Sequence, residues 1–220
     1  MAETFERQSN LKKDIIQVQG EGSVAASPDT ATVTVGVSTE VQDLVQGQQQ
    51  NARAVAAVIQ SIQQTGIPAE NIKTLDYRIE SVYDYKDGVQ TFRGYKITHL
   101  LQVTISDLEK VGTVVDTAVQ NGANYISDIA FTAKRKEGLY NEALELAVRN
   151  SFNKAKTIAG AINVALDSVP VQVTEENRIA RPLMEYQVPM VKGATSTPIQ
   201  PGQLLIEATV TAIYTFKRKA

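Results

Sequence analysis

Gly20-Glu21-Gly22-Ser23-Val24-Ala25 fits G-x-G-x-x-A, the phosphate-cradling fingerprint of dinucleotide-binding folds, and Glu40 stands near the expected ribose position. That chemistry needs a helix to start inside the motif, because the pyrophosphate is held by the amides of a helix N-terminus. Here the glycines continue an alternating stretch, with Ile16, Val18, Gly20, Gly22 and Val24 in one phase and Gln17, Gln19, Glu21 and Ser23 in the other. Ser27-Pro28-Asp29-Thr30 turns the chain, and Ala31, Val33, Val35 and Val37 alternate with Thr32, Thr34 and Gly36. Two antiparallel strands are predicted where the fingerprint requires strand, turn and helix. The glycines then serve to let a helix or another backbone come close.

Other reactive side chains are sparse. His99, the only histidine, falls in phase with Ile97 and Leu101 on a strand, which reads as a structural position rather than an acid–base catalyst. One histidine and no cysteine leave no usual zinc ligand set, and no Asp-x-Asp-x-Asp cluster suggests calcium or magnesium. No metal and no cofactor are expected. A G-x-S-x-G nucleophile elbow is absent. Glu175-Glu176 is the nearest approach to a carboxylate pair for glycoside hydrolysis, but neighbouring strand residues point to opposite faces. Lys134-Arg135-Lys136 is a short basic run at a helix start, where it opposes the helix dipole and reads as surface.

The elements that would position these groups follow from periodicity. A helix is predicted over about 41–65, with Val41, Leu44, Val45, Gln48, Ala52, Val55, Ile59 and Ile62 as its inner stripe and Gly66 and Pro68 as its stop. A strand carrying Leu75, Tyr77, Ile79, Tyr83 and Tyr85 turns at Lys86-Asp87-Gly88 and returns from Phe92 to Ser106, a long hairpin. Ser106-Asp107-Leu108-Glu109 has capping-box form and opens a second helix that ends at Asn121-Gly122. A strand over 125–133 precedes a third helix over about 137–161, whose stripe runs Tyr140, Ala143, Leu144, Ala147, Ser151, Ala155, Ile158, Ile162. Strands over 168–174 and 204–217 complete the chain. The order, with a strand-helix-strand-strand unit occurring twice, predicts an α+β fold: largely antiparallel sheet with helices on one face and a long projecting hairpin.

A chain of 220 residues buries roughly 70% of its unfolded surface. The expected organisation is a polar leader over 1–14 and a domain over 15–220, as one body or as two lobes of about 15–106 and 107–220. The 43% apolar share and mean hydropathy of −0.17 describe a soluble globular protein. A net charge of −2 gives no electrostatic drive toward nucleic acid. No run approaches the ~20 apolar residues of a membrane-spanning helix, and the leader lacks the apolar core of a secretory signal. As the chain stands this predicts a cytoplasmic location, or a periplasmic or extracytoplasmic one where a signal has been removed.

Several short motifs in a fixed order resemble the SIMPL-domain family, bacterial proteins that include periplasmic immunogenic proteins. They are Val18-Gln19-Gly20-Glu21-Gly22, Ser27-Pro28-Asp29-Thr30-Ala31, Val33 to Val37, Gly66-Ile67, Ile72-Lys73-Thr74, Gly94-Tyr95-Lys96-Ile97, Gly122-Ala123-Asn124, Ile129-Ala130-Phe131 and Pro198-Ile199-Gln200-Pro201-Gly202. The resemblance spans about 15–216. It implies an α+β fold, a place in the bacterial cell envelope, a link to oxidative-stress protection and assembly into ring-like or channel-like oligomers. It implies no catalytic residues.

The residues themselves point to assembly. Tyr83, Tyr85 and Tyr95 gather on the hairpin, and tyrosines contribute large contact area with a polar tip. The connection from Asn177 to Gln203 carries Pro182, Pro189, Pro198 and Pro201 without a sustained period, which suits an arm, a lid or a contact between copies. The candidate interface is therefore Tyr83, Tyr85, Tyr95, Pro182, Tyr186 and Pro189, in a non-enzymatic protein that self-associates as a homo-oligomer. A module binding a small ligand or peptide, with 177–203 as its lid, is the alternative. A carboxylate hydrolase using Glu175 or Glu176 ranks third.

Overall fold

In the computed structural model, residues 14–176 and 197–219 are described. Eleven strands and α-helices follow in order among them. They are β1 (Ile15–Ala26), β2 (Thr30–Val41), α1 (Leu44–Gln64), β3 (Ile72–Lys86), β4 (Val89–Ile105), α2 (Val111–Gln120), β5 (Tyr125–Thr132), α3 (Lys136–Ala161), β6 (Val164–Leu166), β7 (Gln172–Glu176) and β8 (Leu204–Arg218). The chain divides into two compact units. One holds the described residues of Met1–Ala26, Arg135–Leu183 and Leu205–Ala220, the other those of Ser27–Lys134 and Met184–Leu204. The strand-helix-strand-strand order recurs around α1 and α3, and each helix lies on a sheet, as the α+β reading requires.

In the first unit the strands run β1-β8-β6, with β7 also pairing β8. Helix α3 lies on β1 through Ala143, Ala147, Ser151, Ala155 and Ala159, one residue per turn and all small. Opposite them, a Cβ at Gly20 would overlap the Ala147 carbonyl oxygen, and one at Gly22 the Ala143 carbonyl oxygen. The fingerprint glycines therefore lie inside a strand and make room for a helix backbone. Beyond them Ile16, Val18, Ala212 and Tyr214 close the core with Ala155 and Ala159. Tyr214 is buried, and its hydroxyl stands 3.0 Å from Ser151 Oγ. Ser151 already donates its single proton to the Val148 carbonyl, so the tyrosine is the donor between them. Two backbone groups of β1 are engaged by α3 as well. Asn150 Oδ1 accepts from the Glu21 N–H (3.1 Å), and Lys154 Nζ donates to the Gln19 carbonyl (2.9 Å).

The second unit is an antiparallel sheet in the order β3-β4-β2-β5. Its core joins Val33, Val35 and Val37 of β2 and Leu101, Val103 and Ile105 of β4 to Val55, Val58 and Ile62 of α1 and Val111, Val114 and Ala118 of α2. Each valine, leucine or isoleucine side chain among them contributes about 1.5–3 kcal/mol by burial. Asp29 closes the sheet's start, accepting from the Lys134 N–H (3.0 Å) and the Thr30 hydroxyl (2.8 Å). Those hydrogen bonds hold its carboxyl below the ordinary aspartate value, the Thr30 bond most of all. Asn124 acts as a substitute strand residue: its side-chain amide both donates to the Ser38 carbonyl and accepts from the Ser38 N–H, each at 2.7 Å. Thr197 donates its N–H (2.9 Å) and hydroxyl (2.5 Å) to Asp116, and Ile199 packs on the core.

Four local expectations change. The inner face of α1 carries Gly47, Asn51 and Ser61 beside its aliphatics, while Val45 is 64% exposed. The helix comes so close to the sheet that a Cβ at Gly47 would overlap Val41, and Asn51 Nδ2 reaches the Val37 carbonyl and Thr39 Oγ1, both at 3.1 Å. The inner stripe of α3 ends on Ala159, with Ile158 and Ile162 outside, for the same reason: only small residues fit under it. The Ser106-to-Glu109 capping box does not form. Asp107 precedes a short 3-10 turn without a side-chain cap bond, and α2 starts at Val111. The single strand expected over 168–174 is replaced by β6 and β7, which meet different stretches of β8 on either side of Pro170.

The glycine packing yields a test by urea denaturation. Gly22→Ala forces α3 off β1 and is expected to lower stability by about 1–3 kcal/mol. Gly160→Ala, which meets nothing within 4 Å in the same helix, is expected to raise it by about 0.5–1 kcal/mol.

Candidate functional site

The hairpin of β3 and β4 reaches further than the sheet it belongs to. Strand β2 stops pairing β4 at Val41–Tyr95, whereas β3 pairs β4 out to Lys86–Val89. From Val82 to Gly94 the structure is thus a two-stranded ribbon. Its root is held by Arg93, whose guanidinium reaches Glu40 (2.8 Å) and Asp84 (3.4 Å). All three side chains are about half exposed, so these bonds orient more than they stabilise.

Arg93 is also the extra residue of a β-bulge, since Val82 pairs Gly94 and Tyr83 pairs Phe92. The bulge returns Phe92 to the face that carries Tyr95, three residues later, although that spacing crosses to the opposite face in a regular strand. An aromatic row results. Tyr83 meets Phe92 edge to face at 5.7 Å, and Phe92 meets Tyr95 in the same way at 5.2 Å. Tyr83 is 44% exposed, Phe92 47% and Tyr85, beyond them, 75%. Tyr77 and Ile79 continue the face toward the core and are exposed as well. The other face carries Asp76, Arg78, Glu80, Asp84 and Lys86. The hairpin is therefore amphipathic, and among the described residues its aromatic side is exposed.

Tyr83 and Tyr95 are thus brought together, with Tyr85 on the same side. Pro182, Tyr186 and Pro189 lie outside the described residues, as does most of the 177–203 connection. Phe92 was not among the expected interface residues. The signal that could find it is Arg93-Gly94, a charge and a glycine that interrupt the alternation of β4.

The remaining candidates for chemistry have structural partners. His99 faces the core at the root of the hairpin, 3.1 Å from Thr74 Oγ1 through Nε2 and edge to face with Tyr77 at 5.2 Å. Partial burial lowers its pKa below the ordinary histidine value. Glu175 accepts from the Tyr140 hydroxyl (2.6 Å), which raises the tyrosine's pKa. Glu176 turns the other way, to the Thr211 hydroxyl (2.5 Å) and Gln19 Nε2 (3.4 Å). The two carboxylates occupy opposite faces of β7. In the basic run, the Lys134 N–H is taken by Asp29, and Lys136 begins α3. Among the described residues, no three His, Asp or Glu side chains converge as metal ligands. A shallow groove of about 530 Å³ runs along β1 and α3, lined by Val18, Gln19, Asn153, Lys154, Thr157 and Ile158. No helix among the described residues is long and apolar enough to cross a membrane.

Residues 16–214 match the family model described as SIMPL, protein of unknown function (DUF541). The 26 kDa periplasmic immunogenic protein of Brucella melitensis is 28% identical over 222 residues, covering 96% of this chain and 88% of that protein. The uncharacterized protein YggE of Escherichia coli is 27% identical over 154 residues, 70% of this chain and 63% of that one. The human interleukin-1 receptor-associated kinase 1-binding protein 1 is 28% identical over 167 residues, 73% of this chain and 59% of that one.

The position of His99 sets a pH dependence. Its folded pKa is lowered, so the unfolded chain binds the proton more readily and stability rises with pH across this interval. The contribution is complete above the unfolded value of about 6.5 and is lost as pH falls through the folded pKa. Urea midpoints measured between pH 7.5 and 5 should decline in the parent chain and decline less in His99→Gln.

Proposed function

The chain belongs to the SIMPL family of proteins of unknown function, and from that membership we propose a non-enzymatic scaffold that self-associates through the aromatic face of the β3–β4 hairpin and has a structural or protective role at the cell envelope. The observation that carries this reading is the amphipathic ribbon itself. Exposed aromatic surface of this kind, standing clear of the core, is suited to contact with another protein. The occupant is a second copy of the chain, since the ribbon also presents a strand edge that is unpaired among the described residues and whose charges suit another copy of itself. The envelope location is supported by the printed name of the Brucella relative, which calls that protein periplasmic. A non-catalytic role is supported by the engagement of His99, Glu175 and Glu176 in local packing and hydrogen bonds. The oxidative-stress link implied by the family resemblance would have to act without a thiol, because the chain contains no cysteine.

Light scattering coupled to size exclusion tests the proposal. The parent chain is expected to be multimeric at micromolar concentration, and Tyr85→Ser combined with Phe92→Ser is expected to shift it to monomer with little change in thermal midpoint. A monomeric parent chain would refute self-association.

The alternative, a module for a small ligand or peptide, draws on the groove along β1 and α3, whose volume falls within the usual range for ligand sites. It predicts that one compound of a broad screen raises the thermal midpoint in proportion to the logarithm of its concentration, and that Ile158→Asp abolishes the effect.

A further inference from the structure

The outer edge of β3 carries a charge pattern that specifies how two copies would meet. β3 ends the sheet order β3-β4-β2-β5, so one side of its backbone has no strand beside it among the described residues. The other long edge strand, β1, is treated differently, with Asn150 taking the Glu21 amide and Lys154 the Gln19 carbonyl. Among the described residues no side chain does this for β3. Unpaired edges are templates for another strand, and charges on them normally discourage the wrong one. We propose that β3 pairs antiparallel with β3 of a second copy about a two-fold axis at Ser81, joining the two sheets into one. This deepens the self-association proposed above and rests on it.

The register follows from the charges. From Asp76 to Lys86 one face of β3 reads Asp76, Arg78, Glu80, Val82, Asp84, Lys86, and the other Tyr77, Ile79, Ser81, Tyr83, Tyr85. In a two-fold antiparallel pair, residues equally distant from the centre stand opposite one another. A centre on the charged face sets like against like. About Arg78 the arginine meets itself and Asp76 meets Glu80. About Glu80, Asp76 meets Asp84, and about Val82, Arg78 meets Lys86 and Glu80 meets Asp84. Like charges directly opposed are destabilising. A centre on the aromatic face removes these clashes, and Ser81 is the centre that uses the most strand. Asp76 then faces Lys86, Arg78 faces Asp84, and the uncharged Val82 faces Glu80. On the other side Tyr77 faces Tyr85, and Ile79 faces Tyr83. Cross-strand aromatic and opposite-charge pairs are those that stabilise antiparallel ladders.

Backbone geometry agrees with this centre. Register shifts fall between Thr74 and Asp76 and between Val82 and Tyr83. In the first the extra residue is Leu75 on β3, so pairing that extends past Asp76 would meet an irregular edge. In the second the extra residue is Arg93 on β4, which leaves the outer side of β3 regular. The span from Asp76 to Lys86 runs from the first bulge to the turn, and its midpoint is Ser81. The same pairing brings the two aromatic faces side by side, which enlarges one continuous surface.

Ser81 is exposed, and the chain has no cysteine, so Ser81→Cys introduces a single thiol at the proposed axis. Directly opposed residues in an antiparallel pair have Cα atoms about 4.5–5.5 Å apart, within the roughly 4.4–6.8 Å that a disulfide spans. Mild oxidation at micromolar concentration should convert most of Ser81→Cys to covalent dimer, and Val89→Cys, exposed beside the turn, should give at least fivefold less. Lys86→Glu sets a carboxylate against Asp76 of the partner subunit and is expected to weaken association about tenfold. Asp76→Lys in the same chain restores it. If the parent chain is multimeric but Ser81→Cys cross-links no better than Val89→Cys, or Lys86→Glu associates normally, this pairing is wrong and self-association stands. A monomeric parent chain removes both.

Discussion

The first unit depends on one close approach, that of the α3 backbone to the β1 backbone. Gly20 and Gly22 lie directly beneath the carbonyls of Ala147 and Ala143, where any side chain would overlap backbone atoms. Helix and strand meet there through glycine on one side and alanine on the other, with very little side chain between them. The gain is a dense contact and the cost is low tolerance, since interiors packed to this degree respond to a single added methyl group. Proximity also gives α3 a second task. With the helix axis this near the strand, Asn150 and Lys154, one turn apart, reach past the core to the outer amide and carbonyl of β1. Core packing and protection of the edge follow from the same geometry.

Much of this was legible because each feature has a local cause. The alternation from Ile16 to Val24 placed the glycines on the inner face, and Pro28 excluded the helix that a phosphate site needs. The alanine stripe of α3 announced its buried side over most of its length. What could not be read depended on distance between elements. The sheet accepts Asn51 and Ser61 under α1 because Gly47 draws the helix in, and no periodicity of apolar residues marks such positions. The capping pattern at Ser106 is a local preference overridden by a 3-10 turn at Leu108 to Lys110. The division into β6 and β7 follows from the meeting of each with β8, a long-range pairing.

The candidate site was legible in part for the same reason. Tyr83 and Tyr85 fall in one phase of β3, which alternation alone reveals. Phe92 joins them only because Arg93 is looped out, and a bulge inverts the phase of everything before it. The bulge does two things at once. It points a guanidinium toward Glu40 and Asp84 at the root of the ribbon, and it turns Phe92 into the aromatic row. Removing Arg93 from the strand's count is therefore what brings Phe92 onto the aromatic face of the ribbon.

Two edge strands in this protein face the same difficulty and meet it differently. On β1 the Glu21 amide and the Gln19 carbonyl are taken by side chains from its own helix. The outer groups of β3 have no such cover among the described residues, yet the strand carries five charged side chains between Asp76 and Lys86. If their only role were to repel other strands, a run of one sign would serve best, because any approach would then be unfavourable. The signs are instead arranged so that reversal about Ser81 sets acid against base, and reversal about the charged phase sets like against like. Such an edge discriminates between pairings whose centres lie one residue apart, in which Asp76 meets either Asp84 or Lys86 on the same face. Under the pairing proposed above, that selectivity would give the charged face of the ribbon the same role as its aromatic one, beside the contacts Arg78 makes with Asp76 and Glu80 and Arg93 makes with Asp84 within the chain.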